Sequence, residues 1–318
     1  MSINKFGQKV VLSIYDENSK LIFSSGGLRV DFDVRIVPDY NRAKFTIYNL
    51  NSKSVKDITN GERFVRLHVQ LHDRKAQELA YDFYINNALT IKQVPNSLTE
   101  IYCIGTTRRD FTSKVVNVSI KNPTLKRYCE ALATKAGKSI NFLYEGFPVD
   151  LLNITPLNKT AVWSGSVGEA LRKLGLAYSF TVNELPGSTI LLQYLPQERN
   201  ENSTTISSKI PYVLDTNHMR SNPRVGIEKL EIESNLDFNI KAGTILDTTK
   251  LVTVGTVRDF KHLTTVQGQI KAANSGGTKF ITTTVQHKGS NYTGDWSTTA
   301  MAIKAIAGTK TNDCIEGE

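Results

Sequence analysis

Residues 286–296, QHKGSNYTGDW, bring together side-chain types that carry out enzyme chemistry. His287 is a candidate base, Asp295 a carboxylate that could orient it, and the nearby serines are candidate nucleophiles. A nucleophile also needs a frame that presents it, such as Gly-x-Ser-x-Gly, and the stretch has none. We therefore interpret it as architecture: a strand that ends at His287, unusual backbone angles at Gly289 and Gly294, and Trp296 anchored in a core or interface.

The rest of the chain offers no better catalytic or ligand-binding motif. It lacks the His-Glu-x-x-His zinc motif, an acidic calcium loop and glycine-rich phosphate or dinucleotide loops. The five histidines are scattered, at His68, His72, His218, His262 and His287. His68 and His72 share the polar face of a predicted strand, where a solvated pair is favoured over a metal site. The sequence therefore predicts no enzyme and no catalytic, cofactor-binding or metal-binding residues, although paired glycosidase carboxylates would leave no local signature.

Composition is typical of a folded protein of two or three domains: 318 residues, 40% hydrophobic and 22% charged. No signal peptide or membrane anchor is expected, so synthesis in a cytoplasm is the prediction. Cys103, Cys129 and Cys314 are too few and too widely spaced for a disulfide framework or a thiolate metal site, and the first two are expected to be buried. The net charge of +9 is spread along the chain, which favours a solvated face over direct nucleic-acid binding.

Residues 1–117 are predicted to form an antiparallel β domain. In GLRVDFDVRI, the apolar residues from Leu28 to Ile36 alternate with Arg29, Asp31, Asp33 and Arg35, which is the pattern of a half-buried strand. FVRLHVQLH repeats this pattern, and LAYDFYINNAL and LTEIYCIGTT are further strands separated by QVPNS. Between the first two strands, Ser52 is predicted to cap a short helix that stops at Asn60-Gly61.

Residues 118–196 change to helical periodicity and are predicted to form a helix-helix-hairpin module. In TLKRYCEALATKAG, one face carries Leu125, Tyr128, Cys129, Leu132, Ala133 and Ala136. Ser166 and Glu169 form a predicted capping box for the second helix, and YSFTVNELPGSTILLQYL predicts a hairpin. Residues 197–318 return to β structure in VGIEKLEIES, NIKAGTILD and TKFITTTVQH. The fold class is therefore mainly β with an α+β insertion.

Four stretches in this order resemble the baseplate hub proteins of contractile-tailed bacteriophages. They are AKFTIYNLNSKSVKDITNGERFVRLHV, the two helices with SVGEALRKLGLAYSFTVNELPGSTILL, MRSNPRVGIEKLEIESNLDFNIKAGTILD, and VQHKGSNYTGDWST. This hub family is related to phage tail protein D and to the hub part of secretion-system spike proteins. None of these motifs is specific alone, and the resemblance rests on their order and spacing across most of the chain.

The resemblance implies two tube-like antiparallel β-barrel domains, residues 1–117 and 197–318, flanking the module of residues 118–196. It implies a homotrimer that joins a three-fold tail spike to a six-fold tail tube in the virion baseplate. Further implied partners are the tape-measure protein and neighbouring baseplate proteins, with DNA passing transiently through the lumen. Reversal of Asp31 and Asp33 to lysine is predicted to impair assembly.

Other functions remain open from the sequence. One is a β-rich carbohydrate-binding adhesin with His287, Tyr292 and Trp296 as its stacking platform, and another is a tail-associated cell-wall hydrolase. A component of a phage-derived injection device would look the same in sequence as a component of an infectious phage.

Overall fold

The structure is a computed structural model that describes residues 9–38, 40–70, 77–93, 96–136, 141–185, 189–194, 211–221, 223–225, 229–251, 279–293 and 296–304. Within these ranges 56% of residues are in strands and 21% in helices, so the mainly β prediction is confirmed. No helix in this part of the chain is long and apolar enough to cross a membrane.

The strands and helices are numbered in chain order. The strands are β1 Lys9–Asp16, β2 Leu21–Ser24, β3 Val30–Val37, β4 Tyr40–Tyr48, β5 Arg63–Gln70, β6 Gln77–Gln93, β7 Asn96–Gly105, β8 Val115–Lys121, β9 Asn141–Glu145, β10 Thr160–Ser166, β11 Phe180–Leu185, β12 Thr189–Tyr194, β13 Tyr212–Val213, β14 Arg224–Val225, β15 Lys229–Asn235, β16 Ile245–Asp247, β17 Lys279–Ser290 and β18 Ser297–Lys304. The helices are α1 Ser52–Thr59, α2 Thr106–Ser113, α3 Leu125–Ala136 and α4 Val167–Tyr178, with a π-helical turn at Asp150–Ile154 and a 3-10 turn at Thr216–His218.

The main sheet contains thirteen strands in the order β14-β15-β18-β17-β3-β4-β7-β6-β5-β1-β2, and β16 with β13 pairs beside β17. The two end strands, β14 and β2, do not pair with each other among the described residues, so the described sheets are not closed barrels and the two predicted β-barrel domains are not confirmed. Instead, β3 of the first segment pairs with β17 of the last. Alternation predicts which side chains face the core, but it does not predict which strand edges meet.

The alternating patterns place the predicted residues in the core. Val30, Phe32, Val34 and Ile36 of β3 are buried, while the polar residues between them are partly or fully exposed. The helix predicted between the first two strands forms as α1, but its N-cap residue differs from the predicted one. Asn51, not Ser52, is the N-cap, and its Oδ1 accepts a hydrogen bond from the Ser54 amide at 2.8 Å.

The predicted helices and hairpin of the middle segment are confirmed. The buried residues of α3 are the six that its pattern predicts. The Ser166 hydroxyl accepts a hydrogen bond from the Glu169 amide at 3.3 Å, and the Glu169 carboxylate lies 3.2 Å from Lys173 Nζ. The sequence patterns missed α2 and the strands β8, β9 and β10. β8 pairs with β10, and β9 extends the β11-β12 hairpin as a parallel strand.

Two separate apolar clusters stabilise the chain. The first joins buried residues of the main sheet from both the first and the last segments, and the second lies in the middle segment. Phe111 of α2 and Val116 of β8 belong to the second cluster, so its core begins before residue 118. The division of the chain into domains 1–117, 118–196 and 197–318 stays a prediction.

Candidate functional site: the seam between the first and last segments

Strands β3 and β17 form the seam, which we define as the antiparallel pairing between the first segment of the chain and the last. It runs from Val285 opposite Ile36 to Ser290 opposite Asp31. β17 does not end at His287 as predicted but continues to Ser290. Most of the stretch QHKGSNYTGDW therefore takes part in this pairing or follows it directly.

His287 is enclosed in the core of the seam. Its side chain has no exposed surface, its Nδ1 lies 2.9 Å from Thr298 Oγ1, and its ring meets the Phe238 ring edge-on at 4.9 Å. Burial, with a smaller effect from the charge of Lys241, lowers the pKa of His287 to about 3. A histidine that no substrate can reach is not a general base, so its role is structural.

Ser290 is tied to Asp31 across the seam instead of to a histidine. Its hydroxyl donates a hydrogen bond to Asp31 Oδ1, and Asp31 Oδ2 accepts a second one from the Tyr48 hydroxyl at 2.8 Å. The Arg29 guanidinium is 3.3 Å from the same carboxylate. Because the carboxylate binds these groups, the cluster holds strands together and does not activate a nucleophile.

Asn291 fixes the loop that follows the seam. Its Oδ1 accepts a hydrogen bond from the Val30 amide at 2.9 Å, and its Nδ2 donates to the Leu28 carbonyl at 2.7 Å. Its own amide donates to the Val30 carbonyl at 3.2 Å. The side chain thus continues the strand pairing for one more residue, which the sequence alone did not signal.

The two aromatic residues of the stretch have different environments. Trp296 is buried, and its ring meets the Phe32 ring edge-on at 5.8 Å, which confirms the predicted anchor. Tyr292 is 63% exposed, and the Arg29 guanidinium lies between its ring, at 4.4 Å, and that of Tyr48, at 3.9 Å. With Trp296 and His287 in the core, the sugar-stacking platform considered from sequence is not formed.

Gly289 has a packing role that differs from the predicted one. It lies within β17, where a Cβ atom would be 2.5 Å from Phe32 Cε1 and 2.8 Å from Trp296 Cε3. The glycine therefore gives the two aromatic rings room to meet across the seam. Gly294 and Asp295 lie outside the described residues.

The outer face of the seam is polar, and its two aspartates, Asp31 and Asp33, each pair with an arginine. Asp33 Oδ1 accepts a hydrogen bond from Gln286 Nε2 at 2.7 Å, and its Oδ2 lies 3.1 Å from Arg35. Partial burial alone would raise the pKa of Asp33, but hydrogen bonds from Arg35 and Gln286 and the charges of Arg35 and Lys288 outweigh it and lower the pKa. Lysine at positions 31 and 33 would break these contacts, so the predicted reversal tests the seam as well as assembly.

The outer half of β6, residues 85–93, forms a second notable feature, an open strand edge. β5 pairs with β6 only as far as Tyr84, and beyond it β7 is the one described strand that pairs with β6. This half carries Leu89, 47% exposed, and Ile91, 42% exposed. An exposed edge with apolar side chains is a site at which another strand can add.

Asn49 fixes the part of β7 that lies beside the outer end of β6. The residue is in the left-handed region with φ of 58°, where asparagine is tolerated. Its amide donates to the Ser97 carbonyl at 2.8 Å, and its Oδ1 accepts from the Ser97 amide at 3.1 Å. The backbone N–H and C=O of Ser97 in β7 both point towards Asn49, away from β6. The backbone N–H and C=O of Lys92, which pairs with Ser97, therefore point away from β7 towards the open edge, and so do those of every second residue along β6.

Among the described residues, the other cysteines and histidines form no candidate active site. Burial raises the pKa of Cys103 well above its usual value and, with the nearby charge of Glu130, that of Cys129 to about 12, so both are inert thiols. His68 is half-buried on β5, and His72, His262 and Cys314 lie outside the described residues. Within the described ranges no cluster of His, Cys, Asp and Glu is suited to hold a metal ion. The absence of enzyme activity, cofactors and metals stays a prediction.

No protein-family model matches the chain, and no curated protein matches its sequence. Its fold is similar to solved structures. A tail protein from Neisseria meningitidis is 10% identical over 93% of this chain and 96% of its own, with a TM-score of 0.54. A 43 kDa tail protein of prophage MuSo2 from Shewanella oneidensis is 6% identical over 94% and 99%, with a TM-score of 0.53.

A third similar structure comes from a secretion machine. It is an Escherichia coli component of the type VI secretion system, described as structurally similar to the bacteriophage T4 tail proteins gp27 and gp5. It is 10% identical over 89% of this chain and 76% of its own, with a TM-score of 0.53. The chain therefore has a fold found in phage tail proteins and in a secretion-system component.

Proposed function

We propose that the chain is a structural, non-enzymatic component of a phage tail baseplate, a homotrimeric hub that joins a three-fold tail spike to a six-fold tail tube. The observation that carries this proposal is the seam. Through the pairing of β3 with β17, one chain presents two β segments edge to edge in one continuous sheet. Three such chains would present six segments, which is the arithmetic a three-to-six adaptor requires.

The contact between chains is the second part of the proposal. The open edge of β6 would add to a strand of the next copy, as β3 adds to β17 within the chain. Such a contact joins two different surfaces, so it repeats from copy to copy and closes into a ring when the rotation per step is one third of a turn. The tether of Asn49 to Ser97 supports this role because it holds the edge in one conformation before binding.

The proposed partners are those of a ring that lies between a tail spike and a tail tube. One rim of the ring would contact the spike and the other the tail tube, with neighbouring baseplate proteins around it and the tape-measure protein in its channel. DNA would pass through the channel without sequence-specific contacts, and the chain would reside in the virion baseplate. The fold shared with tail proteins supports these assignments.

Electron microscopy of the purified, concentrated protein tests the proposal. The expected class averages are rings with three-fold symmetry and six lobes. Addition of the spike encoded with the protein should increase the fraction of rings if spike and hub bind each other. Particles of single-chain size under both conditions would refute the adaptor role.

A further inference from the structure

Among the described residues, polar contacts around α2 link the middle segment to the main sheet. Glu184, near the end of β11, is 7% exposed and lies against Gly105, the residue at which β7 ends and α2 begins. A Cβ atom on Gly105 would be 2.0 Å from Glu184 Oε2. Only glycine at this position lets the carboxylate come so near to the start of the helix.

The start of α2 has no cap of its own. Its N-cap is Gly105, and no side chain caps it by a hydrogen bond. The first amides of a helix lack intrahelical partners and carry partial positive charge, which a nearby carboxylate stabilises. Glu184 therefore places its carboxyl group, from another segment of the chain, beside the uncapped start of this helix.

The same residue is held from the main sheet. Asn41 of β4 is fully buried, and its Nδ2 donates a hydrogen bond to the Glu184 carbonyl at 3.2 Å. One residue of β11 thus contacts both the start of α2, through its side chain, and a strand of the main sheet, through its backbone.

α2 is held to the main sheet by a second polar contact. Arg109 forms an ion pair with Glu62, and its guanidinium lies 4.1 Å from the Tyr84 ring centre. On the module side, Phe111 of α2 packs in the apolar cluster of the middle segment. The helix is therefore built into the module by apolar packing and attached to the sheet by charge.

The neighbouring buried surface is mixed, since Leu191 of β12 lies on the same face as Gln193, is fully buried and belongs to neither apolar cluster. The two apolar clusters share no residue. Ile190 and Leu192 of β12 belong to the second cluster, whereas Gln193 points to the opposite face of the strand. The Gln193 side chain is fully buried, and neither its amide oxygen nor its amide nitrogen has a hydrogen-bond partner among the described residues. Burying unpaired polar groups costs free energy, so a polar contact of this kind separates more easily than an apolar core.

We propose that α2 and the middle module separate from the main sheet as one body, with Gly105 as the joint and Glu184 as the latch. Breaking the contacts of Glu184 and Arg109 frees the module without disturbing either apolar cluster. Because the ion pair of Arg109 with Glu62 is partly exposed, salt weakens it and increases the open fraction. The proposal is independent of the hub function.

Hydrogen–deuterium exchange of the full chain tests the latch. Glu184→Gln keeps the shape and removes the acidic group, and Glu17→Gln, at an exposed carboxylate in the turn between β1 and β2, is the matched control. We expect exchange of the α2 amides to rise about two- to fivefold in Glu184→Gln, the usual range for losing one charge at a helix start. Exchange in the seam and in α3 should not change, and the control should match the unmodified protein.

Two further measurements guard against a variant that simply unfolds. Glu62→Gln removes the second contact from the sheet side, and it should raise α2 exchange and abolish the salt effect on it. Asn41→Ala should accelerate α2 and the β11 end together. Unchanged α2 exchange in all three variants, or equal acceleration in α2, the seam and α3, would overturn the proposal.

Discussion

Gly289 and Phe32 face each other across the seam so closely that a methyl group on the glycine would lie 2.5 Å from the phenylalanine ring. Gly289→Ala should therefore destabilise the protein by about 1–3 kcal/mol, the usual cost of overpacking a rigid site. Gly26→Ala is the control because nothing lies within 4 Å of its Cβ position. Urea denaturation should separate the two variants, and equal midpoints would contradict the described packing.

Asn291 should be needed for the loop that closes the seam. Asn291→Ala removes both side-chain hydrogen bonds, to the Val30 amide and the Leu28 carbonyl, and should cost about 1–3 kcal/mol. Asn291→Asp keeps the acceptor for Val30 but places a carboxylate oxygen against the Leu28 carbonyl oxygen, so it should also destabilise the protein. Thermal denaturation compares the variants, and an aspartate variant as stable as the unmodified protein would show that the assignment of these bonds is wrong.

His287 should make stability depend on pH. Its pKa falls from 6.5 to about 3 on folding, so between these values the unfolded chain binds a proton that the folded chain does not. The stability is complete above pH 6.5 and falls as the pH is lowered towards 3, by up to about 1.4 kcal/mol per pH unit. His287→Asn should lose this part of the slope, whereas a variant of exposed His218 should keep it. Parallel stability curves for His287→Asn and the unmodified protein from pH 4 to 7 would contradict the burial.

The open edge of β6 should respond to charge. Replacing both Leu89 and Ile91 by lysine places positive charge on the strand that is proposed to pair with the next copy, so the assembled fraction should fall at least about tenfold. Val162→Lys, at a 68% exposed position on β10, is the control. Analytical ultracentrifugation measures the assembled fraction, and unchanged assembly in the double variant would exclude this edge.

The sequence predicted the core better than the edges. Apolar alternation in β3 and helical spacing in α3 report burial directly, so the residues they place inside are buried. The pairing of β3 with β17 joins two stretches that are far apart in sequence. The alternation within each strand does not show which other strand it pairs with. The predicted barrel domains are therefore not confirmed, and β8, β9 and β10 were not predicted, although apolar and polar residues alternate along β8.

Most of the described part of the stretch QHKGSNYTGDW lies in or beside the seam, and several roles within it required the structure. The anchoring of Trp296 follows from its size and apolarity. The bridge made by Asn291 and the Arg29 stack between Tyr48 and Tyr292 depend on neighbours from the other end of the chain. The same holds for Glu184 at Gly105, whose partner is remote in sequence.

The mass of the purified protein in solution tests the proposed hub most directly. Light scattering over a concentration series should give three times the 35.4 kDa of one chain, or a single-chain mass that becomes three-fold when the spike is added. A single-chain mass at every concentration, unchanged by the spike and by co-expressed tail proteins, would contradict the homotrimeric adaptor.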